Sequence, residues 1–163
     1  MKSLFAKIKE ASWKRRIAWA AGIVIGILLL IQLVPYGRDH TNPPVLAQAK
    51  IANPEGQKLW DKSCADCHSN LTKWPWYSNV APMSWLIQNH VDEGRTKLNL
   101  SEWKTMPQPD PGEIRDVVMS GEMPPWNYTL IHGGMSATDK KVLVAALTAT
   151  YRSDPPGSIK KGD

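Results

Sequence analysis

The chain has 163 residues, which fits one folded domain with short extensions. Its formal net charge is +5, but the excess lies in the first 37 residues, where six basic residues stand against one acidic residue. From residue 38 onward, 14 basic and 14 acidic residues balance, so the remainder lacks the positive surface that nucleic-acid binding needs. We therefore expect no nucleic-acid partner.

An apolar run near the N-terminus predicts a single transmembrane helix. Residues 17–34 contain no charge and one polar side chain, Gln32, and about 20 apolar residues span a bilayer. The basic residues precede the run, so the positive-inside rule places residues 1–16 in the cytoplasm as a basic tail. A cleaved signal peptide is the alternative, but the nearest small-x-small site, 47–49, lies well past the run. We predict an anchor at 17–36 in a bacterial inner membrane, with the following residues on the periplasmic side.

The remaining residues predict short helices joined by proline-rich loops. Residues 37–52 are rich in proline and polar side chains and predict a tether. Candidate helix caps occur at four positions, which are Asn53, Ser84, Asp110 and Ser136. Gly94 and Gly121 mark the expected ends of the second and third of these helices. No stretch alternates as a strand does, so we predict an all-α domain of about four helices over residues 53–152 and a disordered tail over residues 153–163.

The two cysteines stand three positions apart and a histidine follows them directly. Cys64, Cys67 and His68 form the C-x-x-C-H pattern of c-type haem attachment. Its spacing lets two thiols add to the two vinyl groups of the porphyrin and places an imidazole under the iron. A thioredoxin-like redox pair would follow a strand in an α/β pattern, and a zinc site would need about four ligands. We predict one covalent haem c with His68 as an axial iron ligand.

The opposite face of the iron needs a second ligand if the site is closed. Met123 is the leading candidate because a proline follows it, and methionine ligation raises the reduction potential. The alternatives are Met106, which also precedes a proline, and two histidines that would give a low-potential bis-histidine haem, His90 and His132. An open or water-bound site is the remaining alternative.

Several stretches of the chain resemble known haem proteins. Residues 56–68, with Trp60 one turn before the first cysteine, resemble the opening of the class I cytochrome c fold, and GEMPP at 121–125 resembles its methionine loop. From about residue 20 to about residue 150 the chain also resembles the haem-binding domain family of membrane-anchored bacterial cytochromes. The residues that carry this resemblance are PYGRDHTNPP, CADCHSNLTKWPWYSNVAPMSWLIQNHVDEGR, LNLSEW and GEMPPWNY. It implies a monohaem c-type domain and names no partner.

The expected function is the transport of single electrons, not catalysis. Its partners would be redox proteins, or a larger membrane electron-transfer complex in which the chain is one subunit. A haem enzyme and a gas-binding sensor are the alternatives, and both need an open iron site. A di-haem peroxidase is excluded because the sequence holds only one C-x-x-C-H pattern.

Overall fold

The computed structural model describes the backbone of residues 4–157 and the side chains of residues 13–157. Within this part, the chain forms seven α-helices, one 3-10 helix at Trp76–Asn79 and an isolated bridge between Ala47 and Glu102. The helices are α1 (Leu4–Ile31), α2 (Pro54–Ser63), α3 (Ala65–His68), α4 (Met83–Lys97), α5 (Pro111–Ser120), α6 (Trp126–His132) and α7 (Ala137–Ser153). The all-α prediction is confirmed. The helix count exceeds the predicted four partly because the haem motif and the residues after Met123 each form a short helix.

The apolar part of α1 is shorter than the sequence predicted. The helix ends at Ile31 and the chain then turns, so its uncharged helical stretch covers only residues 17–31. At 1.5 Å per residue this stretch is about 22 Å long, against a hydrocarbon core of about 30 Å. Across the described residues, no helix combines the length and apolarity needed to cross a membrane. The predicted transmembrane anchor at 17–36, and with it the inner-membrane localisation, is therefore wrong.

Gln32, the first residue after α1, bonds to a distant part of the chain. Its side-chain Nε2 donates to the Ala81 carbonyl at 2.9 Å, and its Oε1 accepts from the Ala81 backbone N–H at 3.1 Å. The same Oε1 accepts from the Arg38 guanidinium at 2.9 Å. These bonds fasten the end of α1 to the loop that precedes α4, a contact that the local sequence does not reveal.

The segment predicted as a tether, residues 37–52, lies against the helices that follow it. Ala49 and Ile51 are buried in the core. The Ala49 backbone N–H donates to the Leu100 carbonyl at 2.7 Å, and Trp103 donates to the Ala47 carbonyl at 3.0 Å. The last residues of the segment thus form part of the folded core.

The C-terminal tail predicted at 153–163 is described only as far as residue 157. The Gly157 backbone N–H donates to the Trp103 carbonyl at 2.9 Å, and the Trp103 indole donates to the Asp154 carbonyl at 2.7 Å. These bonds hold residues 154–157 against the domain. Residues 158–163, and residues 1–3 of the predicted basic tail, lie outside the described part of the chain.

Three of the four predicted helix starts are confirmed. The side chains of Asn53, Asp110 and Ser136 each accept a backbone N–H of the first turn, and Ser136 forms the predicted capping box with Asp139. Gly121, with φ +86°, ends α5 as predicted, in the left-handed conformation that favours glycine. These signals are local, so the sequence alone is sufficient to find them.

Ser84 is not a helix cap. Helix α4 begins one residue earlier, at Met83, and continues to Lys97 rather than ending at Gly94. Ser84 is fully buried, and its backbone carbonyl is approached so closely by Gly37 that a Cβ at position 37 would collide with it. A tertiary contact with the preceding segment therefore fixes this end of the helix.

The core lies where α2, which precedes the haem motif, packs against α7, the last helix. Its buried members are Ala49, Ile51, Trp60, Leu98, Leu100, Trp103, Ile114, Val118, Leu143, Ala146 and Leu147. A Cβ at Gly56 would collide with the Ala146 side chain, so glycine at this position lets α2 and α7 approach closely. Full burial of each leucine stabilises the fold by about 1.5–3 kcal/mol.

Tyr151 joins the last helix to the loop before α5. Its hydroxyl donates to the Pro109 carbonyl at 2.8 Å, and its ring packs edge-on against Trp103. Burial, followed by the carboxylates of Asp110 and Glu113, raises the pKa of Tyr151 above its ordinary value of 10.0. Because the unfolded chain ionises near that value while the folded chain resists, this contribution to stability is complete below about pH 10 and is lost as the pH rises further.

We expect Tyr151→Phe to lower the free energy of unfolding by about 1 kcal/mol at neutral pH, because the bond to Pro109 is lost. We also expect it to flatten the decline in stability above about pH 10, since the variant has no phenol to ionise. Urea unfolding between neutral pH and about pH 11 measures both effects. Tyr36→Phe is the control, because Tyr36 is exposed. An alkaline slope equal to that of the wild type would contradict the prediction.

Candidate functional site

Cys64 lies between the helices α2 and α3, and Cys67 and His68 are the last two residues of α3. The Cys64 backbone N–H donates to the Trp60 carbonyl at 2.9 Å, which closes α2, and the His68 N–H donates to the Cys64 carbonyl at 2.9 Å, which closes α3. Both thiols are free and half-buried. Trp60 is buried one turn before the first thiol. The C-x-x-C-H pattern is thus presented as one rigid turn that rests on the core.

The His68 imidazole is oriented by two backbone carbonyls. Its Nδ1 lies 2.9 Å from the Gly94 oxygen and 3.0 Å from the Leu98 oxygen. A carbonyl can only accept a hydrogen bond, so Nδ1 carries the proton and the lone pair is on Nε2. Burial lowers the pKa of His68, which favours the neutral ring that binds metal. This tautomer fits an axial ligand to haem iron, because Nδ1 is held by hydrogen bonds and the lone pair of Nε2 is left for the metal.

The backbone around His68 is fixed from the same side. The Leu100 N–H donates to the His68 carbonyl at 3.0 Å. Gly94 lies directly against Cys67: a Cβ at position 94 would lie 3.0 Å from the Cys67 Cβ and closer still to its carbonyl oxygen. The motif therefore packs against the end of α4 and the segment that follows it.

Arg95 ties the residues that follow the motif to α4. Its Nε donates to the Ser69 carbonyl at 3.0 Å, and its terminal nitrogen donates to Thr72 Oγ1 at 2.8 Å and to Asn42 Oδ1 at 2.9 Å. Burial lowers the pKa of the guanidinium. These partners lie 23 to 53 positions away along the chain, so no local pattern predicts the role of this arginine.

The electrostatics of the two thiols argue against the alternatives to haem. Burial raises the pKa of Cys64 to about 12 and that of Cys67 to about 11, the Cys67 charge contributing to the first and Asp66 to the second. A thioredoxin-like pair needs a lowered thiol pKa. In the described part of the chain, no cluster of three or more His, Cys, Asp or Glu side chains is placed to hold a metal ion, so the geometry offers no zinc site either.

The candidates for the second axial position lie in different parts of the structure. Met123 is half-buried against the core cluster that Cys64 also contacts, and its N–H donates to the Val117 carbonyl at 3.0 Å. Met106 lies in the loop that follows Trp103, and its N–H donates to the Glu102 carbonyl at 3.1 Å. Of these two methionines, only Met123 packs against the core cluster that Cys64 also contacts.

The two histidine candidates have other surroundings. His90 lies on α4 one turn before Gly94 and is half-buried. His132 is exposed, and its Nε2 lies 3.0 Å from the Tyr77 hydroxyl while its ring stacks on Tyr128. The nitrogen of His132 that would bind iron is therefore engaged in a hydrogen bond.

Helix α6, which the sequence did not predict, reaches the start of the motif. The Tyr128 hydroxyl donates to the Lys62 carbonyl at 2.8 Å, and burial, followed by the charge of Asp66, raises the pKa of Tyr128 to about 12. The only sequence signal was Pro125 directly before Trp126, and seven residues are too few to show a helical period. The contact between His132 and Tyr77 joins α6 to the 3-10 helix at Trp76–Asn79.

Large apolar side chains on these two elements face solvent. Trp76, Trp126 and Leu130 have exposed fractions of 79, 77 and 78%. Trp74, two residues before Trp76, instead stacks its ring on that of His40 at a centroid distance of 4.5 Å. Uncovered apolar side chains of this size are typical of a surface that contacts a partner or an apolar ligand.

A family model described as a haem-binding domain matches residues 26–149. The chain belongs to the haem-binding domain family. The matched range contains the cysteines, His68, the carbonyls that hold it and Met123, so all the residues of the site lie within the family's domain. The predicted family, and haem as the group that the domain binds, are confirmed. No curated protein and no solved structure matches the chain.

Proposed function

We propose that this haem-binding domain is a monohaem c-type cytochrome, similar in fold to class I cytochromes c, that carries single electrons between redox proteins. One observation carries the proposal: the imidazole that follows the two cysteines donates from Nδ1 to the Gly94 and Leu98 carbonyls, leaving Nε2 for the iron. The packing of α2 against α7 next to the motif agrees with the class I arrangement.

Cys64 and Cys67 would hold the haem covalently. Each thiol adds across one vinyl group, so that a C–S bond and a C–H bond form and the S–H bond and the vinyl double bond are consumed, with no oxidant required. Their raised pKa values keep both sulfurs protonated at neutral pH, so the proton that the vinyl carbon needs is already present. Two thioether bonds, one directly before α3 and one within it, would hold the haem at the turn that carries His68.

Met123 is the second ligand that the structure supports best. Met106 belongs to the loop after Trp103, and His90 to α4, and both elements adjoin the residues that hold Nδ1 of His68. The opposite face of a haem bound at Nε2 would need a ligand from another element, and Met123 belongs to one, since its N–H donates to the Val117 carbonyl of α5. A thioether ligand favours ferrous iron and raises the reduction potential, which suits an electron carrier.

The partners of such a carrier would be recognised mainly by shape. Residues from 38 onward carry equal numbers of acidic and basic side chains, so long-range steering is weak. The exposed rings of Trp76 and Trp126 lie on the 3-10 helix and on α6, two elements that Tyr77 and His132 join. Electron exchange with a redox protein should therefore depend only slightly on ionic strength.

We expect the oxidised haem-loaded chain to show a thioether-to-iron charge-transfer band in the near-infrared edge of the visible spectrum, and the reduced chain to ignore carbon monoxide. Met123→Ala should abolish the band, lower the reduction potential and open the iron to carbon monoxide. Visible spectra of both proteins, oxidised and reduced, with and without the gas, measure these changes.

Met135→Ala is the matched control, because Met135 also packs half-buried against the core cluster and should leave the spectrum unchanged. Loss of the band in Met106→Ala instead would transfer the ligand role to Met106. A band-free wild-type spectrum that is still closed to carbon monoxide would indicate His90 or His132. Ready binding of carbon monoxide by the wild type would contradict the carrier and favour a haem enzyme or gas sensor.

A further inference from the structure

Gln108 makes an unusual set of bonds to the segment that holds His68. Its Oε1 accepts from the Asn99 backbone N–H at 3.0 Å, and its Nε2 donates to the Asn99 carbonyl at 3.2 Å. The same Nε2 lies 3.2 Å from the Glu102 carbonyl and 3.4 Å from the Met106 carbonyl. The side-chain amide thus pairs with both backbone groups of Asn99, as a neighbouring strand would.

The Asn99 N–H belongs to the same peptide group as the Leu98 carbonyl. That carbonyl accepts the proton of His68 Nδ1 at 3.0 Å. A hydrogen bond accepted from an amide N–H polarises the whole amide and makes its oxygen a stronger acceptor. The bond between Gln108 and Asn99 is therefore linked, through one peptide plane, to the bond that orients the imidazole.

Gln108 is itself held rigidly. Pro107 and Pro109 flank it and restrict its backbone. The Pro109 carbonyl accepts from the Tyr151 hydroxyl at 2.8 Å, which fastens this loop to α7. The side chain of Asn99 is buried and bonded to Asn70 and to the Ser101 N–H, so the peptide is also fixed from its other side.

We propose that Gln108 is a positioning residue for the axial histidine: it fixes and polarises the Leu98–Asn99 peptide and thereby sets how strongly that peptide binds His68 Nδ1–H. The inference rests on the proposed function, in which His68 Nε2 binds the iron. A stronger bond at Nδ1 makes the imidazole a better donor. A better donor stabilises ferric iron, so Gln108 lowers the reduction potential.

The test is Gln108→Met, which keeps the volume and removes both hydrogen-bonding groups. We expect the ferric-to-ferrous equilibrium to move toward the reduced state by roughly threefold to tenfold, which is about 30–60 mV at 59 mV per tenfold for one electron. The effect is partial because the Gly94 carbonyl still accepts from Nδ1. In the reduced, diamagnetic protein, the proton resonance of His68 Nδ1–H should move upfield as its hydrogen bond weakens.

Gln57→Met is the matched control. Gln57 also accepts a backbone N–H, that of Ile51 at 2.9 Å, but it lies on α2 and does not contact the Leu98–Asn99 peptide. It should lose comparable stability with no change in potential or in the Nδ1–H resonance. Equal shifts in the Gln57 and Gln108 variants, or none in the latter, would overturn the proposal.

A second variant covers the case in which Gln108→Met does not fold. Gln108→Glu keeps an acceptor for the Asn99 N–H, so the Nδ1–H resonance should stay at its wild-type position or move downfield; an upfield shift would contradict the mechanism. Failure of the proposed function is distinguishable: His68→Ala would then leave the axial ligation of the haem unchanged. Intact ligation by His68 with an insensitive potential defeats only the inference about Gln108.

Discussion

A chain in which both Cys64 and Cys67 are replaced by serine should release all its haem into acidified organic solvent, whereas the wild-type chain should keep it after complete denaturation. Serine retains the size and polarity of cysteine but lacks the sulfur that adds to a vinyl group. Both thiols are free and lie within four residues of His68, so under the proposed function each would add to the haem that this histidine would bind. Haem staining of denaturing gels measures the effect, which is all or none.

The single variants Cys64→Ser and Cys67→Ser serve as controls for folding. Each should keep one thioether, and with it covalent haem at reduced yield, and the reduced absorption maxima should lie between those of a free-vinyl and a doubly attached haem. His68 is unchanged in all three chains, so the double variant should still bind haem reversibly. Haem that stays attached to the double variant through denaturation would contradict covalent attachment at this motif.

The parts of the fold that could be predicted from the sequence depend on neighbours a few residues apart. The caps at Asn53, Asp110 and Ser136 are side chains that bond to the backbone two or three positions later, so the pattern and the structure contain the same information. Ser84 is also a residue type that caps helices, yet it lies inside α4, which begins at Met83, and its backbone carbonyl contacts Gly37. Local chemistry proposes a helix start, and tertiary packing decides whether it is used.

The same distinction explains the failure of the transmembrane prediction. The prediction of a membrane span over residues 17–34 rests on composition, and by composition a single polar residue, Gln32, does not exclude such a span. In the structure this residue bonds to both backbone groups of Ala81, 49 positions later, and the helix ends before it. Composition predicts an uninterrupted apolar segment, whereas in the structure its helical part ends at Ile31 and the next residue forms a long-range pair of hydrogen bonds.

The site divides in a similar way. Cys64, Cys67 and His68 are adjacent, so their pattern was readable, whereas the groups that orient His68 are the backbone carbonyls of Gly94 and Leu98. Every residue has a carbonyl, so no residue type marks these two. The glycine at position 94 is visible in the sequence, where it predicts the end of a helix. In the structure α4 continues past it, and Gly94 is the point where α4 contacts the motif.

Gly94→Ala should therefore destabilise the chain strongly. The new Cβ would lie against the carbonyl group and the Cβ of Cys67. The Cys67 backbone and helix α4 cannot move apart without displacing His68. We expect a loss of about 3 kcal/mol in the free energy of unfolding, the upper end for overpacking. This loss would occur although alanine favours a helix over glycine by about 0.5–1 kcal/mol. Denaturant unfolding measures the stability, and the haem-to-protein ratio measures loading.

Gly26→Ala separates the two contributions, since it makes the same change inside α1, where nothing lies within 4 Å of the new Cβ. It should leave the stability unchanged or raise it slightly, because only the helix preference acts there. A Gly94→Ala chain as stable as the Gly26→Ala chain would show that α4 does not press on the motif. The two Nδ1 acceptors would then need another explanation, because Gly94 supplies the first of them and the turn after α4 supplies the second.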